Sequence, residues 1–170
     1  MVKKNLVLLG MMAVGKSTLA KIVAEKLSLQ FIDTDKNVEN NNAMKIKDIF
    51  EKKGEKFFRV EEEKEVLKSL KRENCVIAIG GGAFLNNTIR DNILKNSISI
   101  WLDADTKTIE KRVKGNNKRP LLKKNDNYKI IEKISQERKK IYKLANHKIK
   151  CDKMNKPNLI GIIICLYVHQ

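Results

Sequence analysis

The chain has 170 residues, with 36 Lys and Arg against 20 Asp and Glu and a formal net charge of +16. This length can bury a core but is short for two ordinary domains, so one domain spanning residues 1–170 is expected. Apolar residues make up 42% of the sequence, which excludes an intrinsically disordered chain. The lysines are spread over the whole chain and not along one stripe, so no specific nucleic-acid surface is predicted.

The cysteines and the apolar runs bear on localisation. Cys75, Cys151 and Cys165 lie far apart without a C-x-x-C pair, which favours neither a zinc site nor a disulfide framework and is typical of the reducing cytoplasm. The apolar run before Gly10 is only about five residues long, too short for a signal peptide. The run at 159–168 is about ten residues, half of what crosses a bilayer. It predicts a buried closing helix and no membrane partner.

Hydrophobic patterning predicts alternating strands and helices along the chain. Short apolar runs predict buried strands at 5–9, 31–35, 76–79 and 97–102, with an edge strand at 147–151. Apolar residues at helical spacing predict helices beginning at Lys16 and spanning 45–53, 59–72, 106–114 and 126–144. This order predicts an α/β fold of three layers, α/β/α, around a central, mostly parallel five-stranded sheet.

A glycine-bearing loop joins the first predicted strand to the first helix. Its sequence, Gly10-Met11-Met12-Ala13-Val14-Gly15-Lys16-Ser17, matches G-x-x-x-x-G-K-[ST] in full. In such a loop the backbone N–H groups cradle phosphates, Lys16 bridges the β- and γ-phosphates, and Ser17 ligates Mg²⁺. The pattern predicts ATP or GTP binding, whereas the reaction stays open because ATPases, GTPases and small-molecule kinases share this loop. The predicted nucleotide-binding residues here are Met12, Ala13, Val14, Gly15, Lys16, Ser17 and Thr18.

Two acidic residues close the second predicted strand. Asp33 and Asp35 stand where an open α/β sheet places its ligands. Alternation along a strand would point both carboxylates to one side. One can then support Mg²⁺, while the other accepts hydrogen bonds from a hydroxylated substrate and assists its deprotonation. An acidic turn in solvent is the alternative interpretation.

The chain resembles the shikimate kinase family over nearly its whole length. The resemblance rests on five segments that occur in the family's order. They are the acidic pair Asp33 and Asp35, the segment G-E-x-x-F-R-x-x-E at 54–62, the triple glycine Gly80-Gly81-Gly82, the lid motif R-P-L-L at 119–122, and Arg138 followed four residues later by Tyr142.

The resemblance implies an ATP- and Mg²⁺-dependent kinase that phosphorylates the 3-hydroxyl of shikimate. It implies that Asp35 binds the shikimate hydroxyls and acts as the base, and that Asp33 lies near the metal. The acceptor would be bound by a helical segment at about 36–62. ATP and shikimate would be the small-molecule ligands, and the protein would be a monomer.

The resemblance also assigns the groups around the acceptor ring. Arg59 and Arg138 would bind the shikimate carboxylate, which suits the planar guanidinium group. Glu62 would hold Arg59 in place. The triple glycine, Gly80, Gly81 and Gly82, would let the backbone approach the substrate because no Cβ intrudes.

The remaining predicted residues belong to a lid and an adenine pocket. Arg119 stands in a predicted lid loop at about 113–126 and would swing over the transferring phosphoryl group while the loop excludes water. By resemblance, Arg112 would stack on adenine and Pro157 would flank the base. A simple surface cation is the alternative for Arg112.

Three other functions stay open on the sequence alone. Another small-molecule P-loop kinase, such as a gluconate kinase, shares the loop, the lid and the size. A basic nucleic-acid-binding P-loop NTPase would account for the positive charge. A degenerate kinase that binds ATP without turnover is the third, and the intact Lys16, Asp35 and Arg119 argue against it.

Overall fold

The computed structural model describes residues 4–114, 127–152 and 154–169. Five strands form one sheet: β1 (Asn5–Leu9), β2 (Gln30–Asp33), β3 (Cys75–Ala78), β4 (Ser97–Asp103) and β5 (His147–Lys150). Their order across the sheet is β2-β3-β1-β4-β5, and each of the four pairings is parallel. The predicted five-stranded α/β sheet is confirmed.

Helices cover both faces of this sheet. They are α1 (Lys16–Leu27), α2 (Thr34–Asn41), α3 (Ile46–Leu70), α4 (Asn87–Asn96), α5 (Thr106–Lys114), α6 (Asn127–Tyr142) and α7 (Lys156–Val168), with a 3-10 turn at Ala83–Leu85. α1 contacts α7, and α3 contacts α4. Right-handed crossovers place these two pairs on opposite faces, because the chain moves from β1 to β2 in one direction and returns in the other.

The central strands explain why the ligand-binding loops meet at one edge. Every residue of β1 and β4 is buried, as expected for strands covered on both faces. Because all strands run in the same direction, their carboxyl ends lie side by side. Gly10, Asp33 and Asp103 therefore share one edge of the sheet with the glycines that follow β3.

The predicted strand at 31–35 is wrong at its end. β2 stops at Asp33, whose carboxylate accepts a hydrogen bond from the backbone N–H of Lys36 at 3.1 Å. Asp33 is thus the N-cap of α2, and Asp35 lies in the first turn of that helix. The prediction that strand alternation points both carboxylates to one side is therefore wrong, because only Asp33 belongs to the strand.

The helical predictions have mixed outcomes. Hydrophobic spacing did not predict α2 or α4, which are rich in Asn and bury only a few residues each, although the resemblance implied a helical segment at about 36–62 that includes most of α2. The two helices predicted at 45–53 and 59–72 are confirmed as the two halves of α3, which are separated by a kink with non-helical backbone at Gly54. The closing helix starts at Lys156 and buries a single face through Leu159, Ile160, Ile163 and Tyr167. Within the described ranges, no helix has the length and apolarity to cross a membrane.

Gly54 offers a direct test of backbone strain in α3. Its φ of 83° and ψ of 166° fall in a region open essentially to glycine alone, although a Cβ there would meet nothing within 4 Å. Gly54→Ala should therefore lower the free energy of unfolding by about 1–3 kcal/mol through conformation alone.

Gly161→Ala is the matched control, because Gly161 lies inside α7 and its Cβ would also meet nothing within 4 Å. That substitution should raise the free energy of unfolding by up to about 1 kcal/mol, the helix propensity gain of alanine. Chemical denaturation of both variants makes the comparison. Equal effects at the two positions would contradict the account of the kink.

Candidate active site

The phosphate loop lies between β1 and α1, as the sequence predicts. Gly10 has a φ of 139°, and a Cβ on it would stand 2.5 Å from the backbone oxygen of Leu102 in β4. Gly15 has a φ of 99° and precedes the first residue of α1. Both positions therefore require glycine. The loop delivers the N-terminus of α1 to the carboxyl edge of the sheet, where helix N–H groups favour anions.

Lys16 lies folded over its own loop. Its Nζ donates to the backbone oxygens of Gly10 and Met11, both at 2.9 Å. These contacts hold the ammonium group against the backbone of the loop. A phosphate bound there would meet both this charge and the helix N-terminus.

The two residues predicted to serve a metal line one cavity. Ser17 and Asp33 face a cavity of about 530 Å³ beside α1 and β2. Within residues 4–114, 127–152 and 154–169, no group of three or more His, Cys, Asp or Glu side chains forms a metal cage. Mg²⁺ usually takes one or two protein oxygens and completes its shell with phosphates and water, so this donor pair fits Mg²⁺. The Asp33 carboxylate also accepts the hydrogen bond that caps α2. Because a carboxylate can accept several bonds, it can still ligate a metal ion.

The first glycine after β3 brings two carboxylates together. A Cβ on Gly80 would lie 2.5 Å from Oε1 of Glu62 and 2.6 Å from Oδ1 of Asp35. Both distances are far below any normal contact, so the acids occupy the space that a side chain would fill. Asp35 from α2 and Glu62 from α3 thus face each other across Gly80.

Gly81 and Gly82 likewise leave space that is occupied by arginine side chains. A Cβ on Gly81 would lie 3.2 Å from Nη1 of Arg138, and one on Gly82 would lie 2.5 Å from Nη1 of Arg59. The Gly81 position is also 3.6 Å from the backbone nitrogen of Met12. The three glycines therefore bring the predicted acceptor residues against one another and against the phosphate loop.

Arg59 is held by carboxylates on its own helix. Its Nη1 donates to Glu62 at 2.8 Å and its Nη2 to Glu55 at 3.0 Å. Burial raises the pKa of Glu62 above its ordinary value, and the ion pair with Arg59 offsets this only in part. Burial alone would lower the pKa of Arg59, but the two glutamates raise it overall. The guanidinium stays charged, and the cost of the buried pair falls on Glu62.

A second buried carboxylate fixes α2 against α3. Glu65 accepts hydrogen bonds from the amides of Asn37 at 2.7 Å and Asn41 at 3.0 Å, and from the hydroxyl of Ser69 at 3.2 Å. This arrangement sets the distance between the helix that carries Asp35 and the helix that carries Arg59. Asn37 and Asn41 stand four residues apart on one face of α2, a polar spacing that could have indicated this contact from the sequence.

The predicted nucleotide residues beyond the loop have mixed outcomes. Nη1 of Arg112 donates to the backbone oxygens of Ala13 and Val14 at 3.4 Å and 3.3 Å, so α5 contacts the phosphate loop through it. Pro157 is exposed in the first turn of α7. Stacking of Arg112 on adenine and the role of Pro157 stay predictions. Arg119 and residues 115–126 of the predicted lid lie outside the described residues.

A phosphate loop at the end of β1, with acids and arginines converging above the neighbouring strand, defines a P-loop kinase for small molecules. The shikimate kinase family model matches residues 12–164. A shikimate kinase of Sulfurihydrogenibium sp. (strain YO3AOP1) is 43% identical over 95% of this chain and 96% of its own length. The chain belongs to the shikimate kinase family.

Other relatives agree. A shikimate kinase of Persephonella marina is 38% identical over 95% of this chain and 97% of its own. A solved shikimate kinase of Acinetobacter baumannii in complex with shikimate has a TM-score of 0.92 and 27% identity, covering 98% of this chain and 94% of that one. The resemblance drawn from the motifs is confirmed at the level of the family.

The raised pKa of Glu62 has a consequence for stability. Between its ordinary value of 4.5 and its raised value, the folded state binds more protons than the unfolded state, so the contribution of Glu62 to stability falls as the pH rises through this window. Glu62→Gln removes this titration. The stability of the variant relative to the unaltered protein should therefore increase as the pH rises above 4.5.

Urea unfolding at a series of pH values measures the difference. Glu55→Gln, which removes the exposed partner of the same guanidinium, separates loss of an ion pair from titration of a buried carboxyl group. A stability difference between Glu62→Gln and the unaltered protein that stays constant with pH would refute the assignment.

Proposed function

We propose that this chain is a shikimate kinase, transferring the γ-phosphoryl group of ATP to the 3-hydroxyl of shikimate. The observation that carries this proposal is the meeting of Asp35, Arg59 and Arg138 at one run of glycines that also touches the phosphate loop. A hydroxylated ring with a carboxylate needs these three groups: a hydrogen-bond acceptor for hydroxyls and two guanidinium donors for the carboxylate.

Asp35 is the group proposed to bind the ring hydroxyls and to accept the proton of the attacking one. It lies in the first turn of α2, at the same edge of the sheet as the phosphate loop. Its neighbour Glu62 forms an ion pair with Arg59, so Glu62 is suited to holding the guanidinium and not to accepting a proton from the substrate. A base of this kind must stand within hydrogen-bond reach of the hydroxyl, and α2 places Asp35 on the same side as the phosphate loop.

Arg59 and Arg138 are proposed to bind the substrate carboxylate. They come from different helices, α3 and α6, and they contact adjacent glycines. Arg59 is fixed by Glu62 and Glu55, so its guanidinium is oriented before the substrate arrives. Such preorganisation reduces the entropy lost on binding.

The phosphoryl group is proposed to be held by the phosphate loop, with Lys16 on the β- and γ-phosphates. Bound Mg²⁺ would neutralise phosphate charge, held by Ser17 and Asp33. Arg119 is proposed to close over the transferring group from the lid. Together these groups position an in-line transfer and keep water out.

Two of the three rival functions, the other kinase and the nucleic-acid-binding NTPase, have weaker support. A gluconate kinase would share the phosphate loop but bind an open-chain hydroxy acid, whereas the family match of this chain favours a shikimate acceptor. A nucleic-acid-binding NTPase is favoured only by the net charge of +16. Weak, salt-sensitive binding is expected of any very basic protein, so that charge alone does not carry a function.

A coupled assay of ADP release with a panel of hydroxy acids tests the acceptor. We expect shikimate to stimulate ADP release and gluconate to leave it unchanged. Specific, submicromolar binding of DNA at physiological salt, together with no response to shikimate, would overturn the proposal in favour of the nucleic-acid function. Stimulation by gluconate alone would overturn it in favour of the other kinase.

Two substitutions separate the proposed roles in the same assay. Asp35→Asn should lower kcat about 10²- to 10⁴-fold, the usual contribution of a general base, with ATP binding retained. Arg59→Ala should raise the KM for shikimate roughly 10- to 100-fold, the size expected for a lost charge-assisted hydrogen bond. Asp91→Asn and Lys68→Ala, both on exposed positions of α4 and α3, are the charge-matched controls. A normal kcat in Asp35→Asn would remove the assignment of the base.

A further inference from the structure

One buried tyrosine stands beside the acceptor residues without a role in the proposed reaction. Tyr142 closes α6, four residues after Arg138, and only 1% of it is exposed. Its ring packs against Trp101 of β4 at a centroid distance of 5.8 Å and an angle of 47°. The ring is therefore part of the core, while its hydroxyl is directed to the site.

The hydroxyl of Tyr142 shares an acceptor with Arg138. It donates a hydrogen bond to the backbone oxygen of Gly81. Nη1 of Arg138 donates to the same oxygen at 3.1 Å. A carbonyl oxygen has two lone pairs and can accept both bonds. The middle glycine is thus tied to α6 twice, once by an arginine and once by a tyrosine.

This arrangement matters when Arg138 turns to a substrate carboxylate. The Gly81 oxygen is part-buried, and a buried acceptor left without a donor is unfavourable. With Tyr142 in place, the oxygen keeps one donor and the guanidinium is free to reorient. Without that hydroxyl, Arg138 would have to remain on Gly81 or leave the carbonyl unsatisfied.

We propose that Tyr142 is a positioning residue for the acceptor: it fixes the Gly81 carbonyl so that Arg138 can transfer its hydrogen bonds to the substrate carboxylate. This role rests on the proposed function, since it names the carboxylate of shikimate as the group that Arg138 receives. Tyr142 itself touches no reacting atom. Its effect is therefore on the affinity for the acceptor and not on the phosphoryl transfer step.

The hydroxyl is suited to a permanent donor role. Burial raises the pKa of Tyr142, with the nearby Arg138 acting in the opposite direction. The phenol therefore keeps its proton throughout the physiological range. The remainder of the ring can be retained by phenylalanine, which preserves the packing on Trp101 and removes only the donor.

Calorimetric titration of shikimate into Tyr142→Phe is the test. We expect its Kd for shikimate to rise about tenfold, the effect of one lost net hydrogen bond, with the Kd for ATP unchanged. Tyr167→Phe is the matched control, because Tyr167 is 3% exposed in α7 and lies near Cys75, at the opposite end of β3 from the triple glycine. It should leave the Kd for shikimate unaltered.

A double-mutant cycle with Arg138→Ala distinguishes positioning from general loosening. If Tyr142 acts through Arg138, then Tyr142→Phe should add nothing to the Kd for shikimate in the Arg138→Ala background. An equal loss in both backgrounds, an unchanged Kd in Tyr142→Phe, or an equal loss in Tyr167→Phe would each overturn the proposal.

A measurement without substrate keeps this inference separate from the proposed function. In the ligand-free protein, the ¹³C chemical shift of the Gly81 carbonyl should move in Tyr142→Phe and stay in place in Tyr167→Phe. An unmoved shift would show that the hydroxyl does not hold this carbonyl. Failure of the unaltered protein to bind shikimate, with the shift moving as expected, would contradict the proposed function and with it the carboxylate named for Arg138.

Discussion

Three missing Cβ atoms, at Gly80, Gly81 and Gly82, set the geometry of the whole site. Each glycine faces a different functional side chain: Gly80 faces Asp35 and Glu62, Gly81 faces Arg138, and Gly82 faces Arg59. These side chains come from three helices: α2 and α3, which follow each other in the sequence, and α6, which lies far along the chain. They meet because parallel strands deliver their loops to one edge and because the glycines leave the space empty.

This convergence creates an electrostatic problem that the surrounding helices solve. Two carboxylates beside Gly80 would repel each other if neither were compensated, and burial makes the charged form of Glu62 costly. Arg59 compensates Glu62 directly, and Glu55 completes the contacts of the guanidinium. Glu65, by contrast, is satisfied by neutral donors on α2. The site therefore combines one ion pair, which orients the guanidinium of Arg59, with one carboxylate that accepts hydrogen bonds from amides and fixes α2 against α3.

Local sequence signals predicted the parts of the structure that depend on residues close together in the sequence. The phosphate loop needs glycines and a lysine at fixed offsets, so Gly15 and Lys16 could be placed between a strand and a helix from the pattern alone. The fold class followed from the alternation of apolar runs. The roles of Asp35, Arg59 and Arg138 came from resemblance, and the structure brings these residues together without testing each role.

The parts that the sequence did not predict depend on contacts between distant segments. The end of β2 was predicted two residues too late, because Asp33 is both the last residue of the strand and the N-cap of α2. An acidic residue can be recognised as a helix cap only when the helix that follows it has been identified. The bond from Tyr142 to Gly81 joins residues 61 positions apart, so no local pattern reveals it. The contacts of Arg112 with the phosphate loop were not predicted either, and its stacking on adenine stays a prediction.

Steady-state kinetics of Gly80→Ala and Gly82→Ala test most directly whether the missing Cβ atoms organise the site. A methyl group at Gly80 would press on Asp35 and Glu62, and one at Gly82 on Arg59, with contacts as short as 2.5 Å in both cases. We predict that Gly80→Ala mainly lowers kcat, that Gly82→Ala mainly raises the KM for shikimate, and that neither changes the KM for ATP. Identical kinetic changes in the two variants, or near-normal activity in both, would contradict the account.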